Sequence, residues 1–251
     1  MSMPIAMKNE IKKFVKLQDH KPIIIALSGF KGSGKDTISG YMSNIIDDIT
    51  HEFVRSQKDP LTYISMAFAD PIHNIADEMF RCQTDYNEKE LNNAFWSNYF
   101  NKPFSQRDAL ISVGEMFRKT YGPEIWNIHM IHNIIDALKF DLNFQKVICI
   151  RDVRFNRELR LLDELEECGF DVRKWVIFRY TKLPEWAKMG LRTDDPVQLK
   201  IIEKDFHPVP SEFEWCKHIK NIDSIFRNDP EKDENCDTYI QVDKCLRSIL
   251  M

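Results

Sequence analysis

A glycine-rich stretch constrains this chain more than any other feature of its sequence. Residues 29–37 read Gly-Phe-Lys-Gly-Ser-Gly-Lys-Asp-Thr. The apolar, β-branched run over residues 22–28 is typical of a buried parallel strand. Over residues 37–46, apolar side chains recur at helical spacing. The sequence therefore predicts a strand, a glycine turn and a helix in direct succession, which is the context of a phosphate-binding loop.

The residue types of this loop suit a phosphate. Glycine adopts backbone angles that are closed to other residues, so the glycines of the loop let backbone N–H groups approach an anion. A helix that begins near Lys35 adds the positive end of its dipole, and the lysine can reach the β- and γ-phosphates of a nucleotide. The alternative is a glycine turn that caps a helix by chance, and the flanking strand and helix disfavour it. The predicted nucleotide contacts are Gly32, Ser33, Gly34, Lys35, Asp36 and Thr37.

The loop departs from the common pattern at one position. The residue after the lysine is usually Ser or Thr, whose hydroxyl reaches Mg²⁺, whereas here Asp36 takes that place and Thr37 follows. Asp36 has three open roles: it approaches the metal directly, approaches it through water, or acts as a base near the acceptor. The motif alone leaves the reaction open, because switches, motors and kinases share it.

A second informative stretch is the buried-type strand over residues 146–150 and the polar residues after it. An acidic residue at the end of a neighbouring strand holds Mg²⁺ or its water in phosphate-loop enzymes, which makes Asp152 a candidate metal ligand. Arg154 is placed to clamp a phosphate. The alternative is a structural pairing of Asp152 with Arg151 or Arg154.

Further candidate residues follow other predicted strands and helices. Asp70 is predicted either to cap a helix or to lie at the mouth of the site. Arg118 is predicted either to contact an acceptor phosphate or to belong to a solvated helix face. Arg179 leaves the next strand, and the polar, proline-containing segment of about residues 180–210 is predicted to be a mobile lid. A cation from Arg179 or this lid would stabilise the transition-state charge.

Composition limits the classes of protein that fit. The net charge of −4 gives no global basic field for DNA or RNA. The six cysteines form no CxxC pair and indicate free thiols in a reducing compartment rather than a zinc site. There is no apolar run long enough to cross a bilayer and no hydrophobic signal core. We therefore expect a cytoplasmic protein that binds small-molecule nucleotides, without nucleic-acid or membrane partners, and a homodimer remains one alternative.

The domain organisation predicted from these patterns is simple. We expect a basic amphipathic extension over residues 1–21, which packs on the domain or, alternatively, binds a membrane surface, and one α/β domain over residues 22–251. Residues 51–60 are predicted to be a polar loop. Residues 81–106 are predicted to be irregular, and their aromatic rings form either an insertion's own core or a stacking surface for a base.

Several blocks of the sequence resemble phage- and virus-type deoxynucleoside monophosphate kinases. The blocks are the loop at 29–37, Phe-Ala-Asp-Pro-Ile at 68–72, Tyr-Gly-Pro-Glu-Ile-Trp at 121–126, Ile-Arg-Asp-Val-Arg-Phe-Asn at 150–156 and Phe-Arg-Asn-Asp at 226–229. They spread over about residues 22–229, and the lysine–aspartate pair of the loop is more specific than a bare phosphate loop. The resemblance implies a three-layer P-loop kinase fold, in which a parallel sheet is flanked by helices. It also implies a helical acceptor-binding insertion at about 81–140 and a lid.

The resemblance further implies an activity and roles for the candidate residues. ATP with Mg²⁺ would be the donor, a deoxynucleoside monophosphate the acceptor and a diphosphate the product, in the host cytoplasm if the chain is viral. The implied catalytic residues are Lys35, Asp36, Arg154 and Arg179. The implied substrate contacts are Asp70, Arg118, Asp152 and Arg154. The implied metal ligands are Asp36, Thr37 and Asp152.

Three other functions remain as alternatives. Animal-type phosphomevalonate kinases share the Gly-Lys-Asp loop, which keeps a non-nucleotide acceptor open. A nucleotide-operated switch is disfavoured, because Val-Arg-Phe follows Asp152 in place of an Asp-x-x-Gly motif and residues 181–184 lack a guanine-reading aspartate. A nucleic-acid 5′-end kinase is disfavoured by the acidic balance. The sequence does not choose among nucleobases or between deoxyribose and ribose.

Overall fold

The computed structural model describes residues 3–80, 92–179, 222–228 and 236–251. Elements are numbered along these described residues. The helices are α1 Ile5–Lys16, α2 Lys35–Arg55, α3 Asp70–Phe80, α4 Ala94–Phe100, α5 Gln106–Tyr121, α6 Ile125–Lys139, α7 Asn156–Glu167 and α8 Cys236–Leu250. The strands are β1 Ile23–Ser28, β2 Leu61–Met66, β3 Gln145–Ile150, β4 Asp171–Phe178 and β5 Ser224–Arg227. The described residues fall into two units, one within 67–132 and one formed by the rest of the chain.

The larger unit is built on a parallel sheet of five strands in the order β2-β3-β1-β4-β5. The central strand β1 pairs in parallel with β3, where Ile23 lies beside Val147, and with β4, where Ile23 lies beside Asp171. All carboxyl ends therefore meet at one edge, which is where ligands bind in open sheets of this kind.

Helices cover the sheet, and the predicted α/β class is confirmed. All six residues of β1 are buried, as its apolar run predicts. One face of the sheet carries a core that includes Ile25 and Leu27 of β1 and Val242 and Leu246 of α8. Helix α2 contributes Ile38, Met42, Ile45, Ile46, Ile49 and Phe53 to the same core. On the alternate positions of β1, Ile24 is also fully buried, and α7 packs against β4.

Helix α2 is longer than its sequence predicts. Residues 51–55 were predicted to belong to a loop, but the helix continues to Arg55. Phe53 follows Ile49 by four residues and extends the buried stripe, with 8% of its surface exposed. Glu52 accepts a hydrogen bond from Arg247 at 2.9 Å. Most residues around Phe53 are polar, so the local sequence does not predict that the buried stripe continues to Phe53.

Helix α1 packs on the larger unit. Ile11 is fully buried, and Lys8 Nζ lies 3.3 Å from a carboxylate oxygen of Glu164 on α7. A Cβ added at Gly169 would stand 3.1 Å from Val15, which shows how closely α1 approaches the residues that follow α7. Within the described residues, no helix is long and apolar enough to cross a membrane.

The smaller unit has a core of its own. Helices α3 and α5 pack together, and Ala76, Ala109 and Val113 are buried between them with Phe104. The prediction that residues 81–106 are irregular is wrong for 94–100, which form α4. The Trp96 ring N–H donates to the carbonyl of Phe80 at 2.7 Å, and the partly buried ring packs against the core of this unit. Residues 81–91 lie outside the described residues.

Candidate phosphate-binding site

The glycine loop between β1 and α2 has the backbone that its sequence predicts. Gly34 has a φ of +92°, and a Cβ added there would stand 1.9 Å from Nδ2 of Asn228. Gly29 also packs closely, because its added Cβ would stand 2.4 Å from the carbonyl oxygen of Ile177. Gly32, between them, has a φ of +74° and nothing within 4 Å of an added Cβ. Both ends of the loop are therefore fixed against the sheet while its middle opens outward.

The N-terminus of α2 is left open toward the loop. Gly34 is the N-cap residue, and no side-chain hydrogen bond from it caps the helix. The first backbone N–H groups of a helix and its dipole together favour an anion. Lys35 Nζ donates to the carbonyl oxygens of Gly29 at 2.8 Å and Phe30 at 3.0 Å, which holds a positive charge over the loop.

Ser33 supplies a test of whether the loop suits a phosphate. Only 1% of its surface is exposed, and its Oγ makes no hydrogen bond to any described residue. A buried hydroxyl without a partner costs about 1–3 kcal/mol. A phosphate oxygen held in the loop would supply an acceptor. The loop therefore offers this buried hydroxyl, three positive-φ glycines and Lys35, and these groups suit the phosphates of a nucleotide.

The segment after β3 is tied to the same edge of the sheet. The Val153 N–H donates to the carbonyl of Leu27 at 3.1 Å, and the Arg151 N–H donates to the carbonyl of Met66 at 3.0 Å. Leu27 precedes the glycine loop by two residues. These bonds bring Asp152, which is 8% exposed, to the carboxyl edge beside the loop, as its sequence position predicts.

A second acid, Glu158, lies beside Asp152. Only 4% of the surface of Glu158 is exposed, and its carboxylate accepts the N–H groups of Arg154 at 2.7 Å and Phe155 at 2.9 Å. Burial first, and then the nearby charge of Asp152, raise the pKa of Glu158 to about 8. Sequence reasoning missed this residue. An acid at the third position of α7 signals a cap, but it gives no sign of the approach to Asp152.

Asp36 makes an ion pair that the sequence did not predict. Its Oδ1 lies 3.0 Å from Nη1 of Arg151, and 62% of the Asp36 side chain is exposed. This pair joins the residue after β3 to the start of α2, and the alternative pairing of Asp152 with Arg151 or Arg154 stays a prediction. Thr37, the next residue of α2, is exposed. No signal in the sequence could have found this contact, because the two partners are 115 residues apart.

The acidic residues of this edge suit Mg²⁺ only in company with a phosphate. Among the described residues, no group of three or more His, Cys, Asp or Glu side chains is arranged to hold a metal. Magnesium at nucleotide sites takes one or two carboxylates and completes its shell with phosphate oxygens and water. Asp36, Thr37 and Asp152 offer the hard oxygen ligands of such a site.

The predicted arginines Arg154 and Arg179 follow β3 and β4, the two strands that flank β1 in the sheet. Arg154 is half-buried in the segment after β3. Arg179 directly follows β4, where the ring of Phe178 lies 6.3 Å from the ring of Phe30 in the glycine loop. The Nε of Arg179 is buried and makes no hydrogen bond to a described residue. The predicted lid of about residues 180–210 lies outside the described residues.

Asn228 is a further residue that sequence reasoning missed. Its Nδ2 donates to the carbonyl of Ser33 at 3.1 Å, and its N–H donates to the carbonyl of Phe178 at 2.6 Å. It therefore links the end of β5 to the end of β4 and to the glycine loop. The sequence indicates only that a polar residue follows a short strand.

Asp70 and Arg118 belong to the smaller unit. The prediction that Asp70 caps α3 from the position before the helix is wrong, because Asp70 is the first residue of α3. Its carboxylate accepts the N–H of Ala67 at 2.7 Å, and its place at the mouth of the site stays a prediction. Arg118 is half-buried, and its Nη2 would lie 3.7 Å from a Cβ added at Gly114. Arg118 therefore packs against its own helix, and its contact with a substrate stays a prediction.

Comparison with known proteins adds little. No family model matches the sequence, and no curated protein matches it. A protein from Chloroflexus aurantiacus, provisionally described as a kinase, is similar in structure at 11% identity, with a TM-score of 0.40 over 92% of this chain and 97% of that chain. A structure from the PezAT toxin–antitoxin system of Streptococcus pneumoniae is similar at 13% identity, with a TM-score of 0.33 over 96% and 87%. At these scores neither likeness carries an argument.

Proposed function

We propose that this chain is an ATP-dependent phosphotransferase whose acceptor is a deoxynucleoside monophosphate. The observation that carries the phosphotransferase is the open N-terminus of α2, with a glycine loop before it and Lys35 over it. The strand order brings a second polar segment, with Asp152, to the same edge. A phosphate loop beside a strand-end acid is the arrangement used for phosphoryl transfer.

In this reaction the chain mainly positions charge. An oxygen of the acceptor phosphate forms a bond to the γ-phosphorus of ATP, the bond from that phosphorus to the β–γ bridging oxygen breaks, and ADP leaves with the electron pair. Lys35 and the backbone N–H groups of α2 hold the donor phosphates. Asp152, with Asp36 or Thr37, would hold Mg²⁺, which neutralises charge on the transferred group. Arg154 and Arg179 would supply further positive charge.

The choice of acceptor depends on the sequence blocks that resemble deoxynucleoside monophosphate kinases. The blocks at 68–72 and 121–126 lie in the smaller unit, which supplies Asp70 and Arg118 as candidate acceptor contacts. A phosphorylated small molecule other than a nucleotide remains the second candidate, because the Gly-Lys-Asp loop is shared with phosphomevalonate kinases.

An ADP-release assay tests the proposal directly. Purified chain, ATP and Mg²⁺ are offered each deoxynucleoside and ribonucleoside monophosphate separately, with phosphomevalonate as a further acceptor and a blank without acceptor. We expect ADP release that depends on one or more deoxynucleotides. Release with phosphomevalonate alone would keep the phosphotransferase and replace its acceptor. No release with any acceptor, despite intact ATP binding, would contradict the proposal.

The loop lysine links the assay to the site. Lys35→Ala should leave the fold intact and lower turnover by on the order of 10²-fold or more, the effect of removing one electrostatic contact to the reacting group. Lys244→Ala, at an exposed position on α8, is the matched control and should turn over like the wild type. A folded Lys35→Ala protein with wild-type turnover would contradict the proposed phosphotransferase site.

A further inference from the structure

The ion pair between Asp36 and Arg151 places a second cation beside the phosphate loop. Asp36 is the second residue of α2, immediately after the lysine that holds the donor phosphates. Its Oδ1 lies 3.0 Å from Nη1 of Arg151. A guanidinium at this distance is fixed within one residue of the proposed phosphate site.

The backbone of Arg151 is fixed as well. It follows β3 directly, and its N–H donates to the carbonyl of Met66 at the end of β2. Side chains alternate along a strand, so Arg151 shares a sheet face with Cys149, which lies in the core beneath α2. The side chain therefore extends from the sheet toward the start of α2, and 27% of it is exposed.

The pair is a weak stabiliser of the fold. An ion pair with an exposed partner contributes little to the stability of a fold, and 62% of the Asp36 side chain is exposed. The same position in common phosphate loops holds a hydroxyl that reaches Mg²⁺. A carboxylate already engaged by a guanidinium suits a different task, which is to orient that guanidinium.

We propose that Arg151 contacts the transferring phosphoryl group and that Asp36 orients its guanidinium. This inference rests on the proposed phosphotransferase function. Arginine is suited to the task because its planar, always charged group matches the geometry of phosphate oxygens. A cation of this kind, supplied from within the chain, accelerates phosphoryl transfer by stabilising charge in the transition state. Asp36 is then a positioning residue, and Mg²⁺ takes its protein ligand from Asp152 or Thr37.

Substitutions of Arg151 separate this role from a structural one. Arg151→Gln should lower kcat on the order of 10²-fold or more, while the melting temperature and the affinity for a fluorescent ATP analogue stay close to wild type. Arg151→Lys keeps a charge but loses the planar geometry, so its kcat should fall between the two. Arg247→Gln breaks another arginine pair with α2, through Glu52, and should leave kcat unchanged.

Substitution of Asp36 separates an orienting role from metal binding. Asp36→Asn keeps the shape but removes the charge that holds Arg151. We expect kcat to fall without a change in the Mg²⁺ concentration that half-saturates binding of the ATP analogue. A rise of tenfold or more in that concentration would show that Asp36 is a metal ligand and would overturn its orienting role.

The outcomes distinguish failure of this inference from failure of the proposed phosphotransferase function. An inactive Lys35→Ala protein beside an Arg151→Gln protein with wild-type kcat would overturn the inference and keep the phosphotransferase. An Arg151→Gln protein whose melting temperature and ATP affinity fall in proportion to kcat would show that the pair with Asp36 is only structural. That result would also overturn the inference. A wild-type chain that transfers phosphate to no acceptor would overturn both.

Discussion

Two turns of this molecule connect a buried strand to a helix at the same edge of the sheet, and they differ in whether an acidic side chain of the chain accepts their backbone N–H groups. In the β1–α2 turn, residues 29–34, Gly34 leaves the N-terminus of α2 without a side-chain cap. In the β3–α7 turn, residues 151–155, the carboxylate of Glu158 accepts the N–H groups of Arg154 and Phe155.

The difference supports the proposal that the β1–α2 turn binds a ligand. Orphan N–H groups at a helix start need an acceptor, from the chain or from outside it. The β3–α7 turn supplies its own acid and so becomes a rigid support for Asp152 and Arg154. The β1–α2 turn supplies only glycine backbone, a buried hydroxyl and Lys35, all of which suit an external anion. Four substitutions, two of them paired with a control variant, test this contrast.

The largest expected effect comes from Gly34→Ala. A side chain at a φ of +92° is strained, and its Cβ would displace the amide of Asn228. Strain together with the lost hydrogen bond should lower the free energy of unfolding by about 3 kcal/mol. Chemical denaturation would measure this change. Gly40→Ala is the matched control, because Gly40 is exposed inside α2 with nothing within 4 Å of an added Cβ. It should stabilise the protein by about 1 kcal/mol.

Equal effects from the two glycine substitutions would contradict the claim that Gly34 is fixed against Asn228. The same pair of variants also sharpens the contrast between the turns. Gly34→Ala should weaken binding of the ATP analogue along with stability, because the strained residue is the N-cap of the open helix. Gly40→Ala should leave that binding unchanged.

The next effect comes from Glu158→Ala, which removes the internal cap of the β3–α7 turn. Two N–H groups lose their acceptor, and the expected loss of unfolding free energy is about 2 kcal/mol. Glu158→Gln keeps an acceptor oxygen and should lose much less near pH 5. Denaturant titrations of both proteins compare the losses. If the Ala and Gln variants were equally unstable, the cap would not be what holds this turn.

A pH-dependent effect separates charge from capping at the same residue. Because burial and Asp152 raise the pKa of Glu158 from 4.5 to about 8, the folded protein holds a proton that the unfolded chain has released between those pH values. The stability that the Glu158 side chain contributes is therefore fully present below pH 4.5, and it is lost as the pH rises through about 8. The stability difference between wild type and Glu158→Gln should fall by about 1.4 kcal/mol per pH unit in that window. A stability difference that does not vary with pH would mean that the pKa of Glu158 is not raised in the folded protein.

The smallest effect is expected from Asn228→Ala. This change removes the hydrogen bond to the carbonyl of Ser33, which should lower the unfolding free energy by about 1 kcal/mol. Asn44→Ala, at an exposed position on α2, should be neutral or slightly stabilising. Thermal melts of the two variants make the comparison. A loss equal to that of Gly34→Ala would mean that the bond from Asn228, rather than the glycine backbone, fixes the loop.

The local parts of the site were predictable from sequence. The glycine loop, β1 and the start of α2 follow from residue types that act on their own backbone: buried β-branched residues, positive-φ glycines and an apolar helical stripe. The predictions failed where local signals were mixed. Most residues around Phe53 are polar, so the end of α2 was missed, and the short aromatic helix α4 was predicted to be irregular.

The sequence by itself determined that a glycine-rich turn follows a buried strand and opens a helix, and that Asp152 follows another strand. Only the tertiary structure decided which side chains meet around that loop. Arg151 reaches Asp36 across 115 residues, and Asn228 reaches Ser33 across 195 residues. Such contacts depend on strand order and register, which arise when distant parts of the chain bury their apolar faces together. A local pattern of residue types carries no record of them.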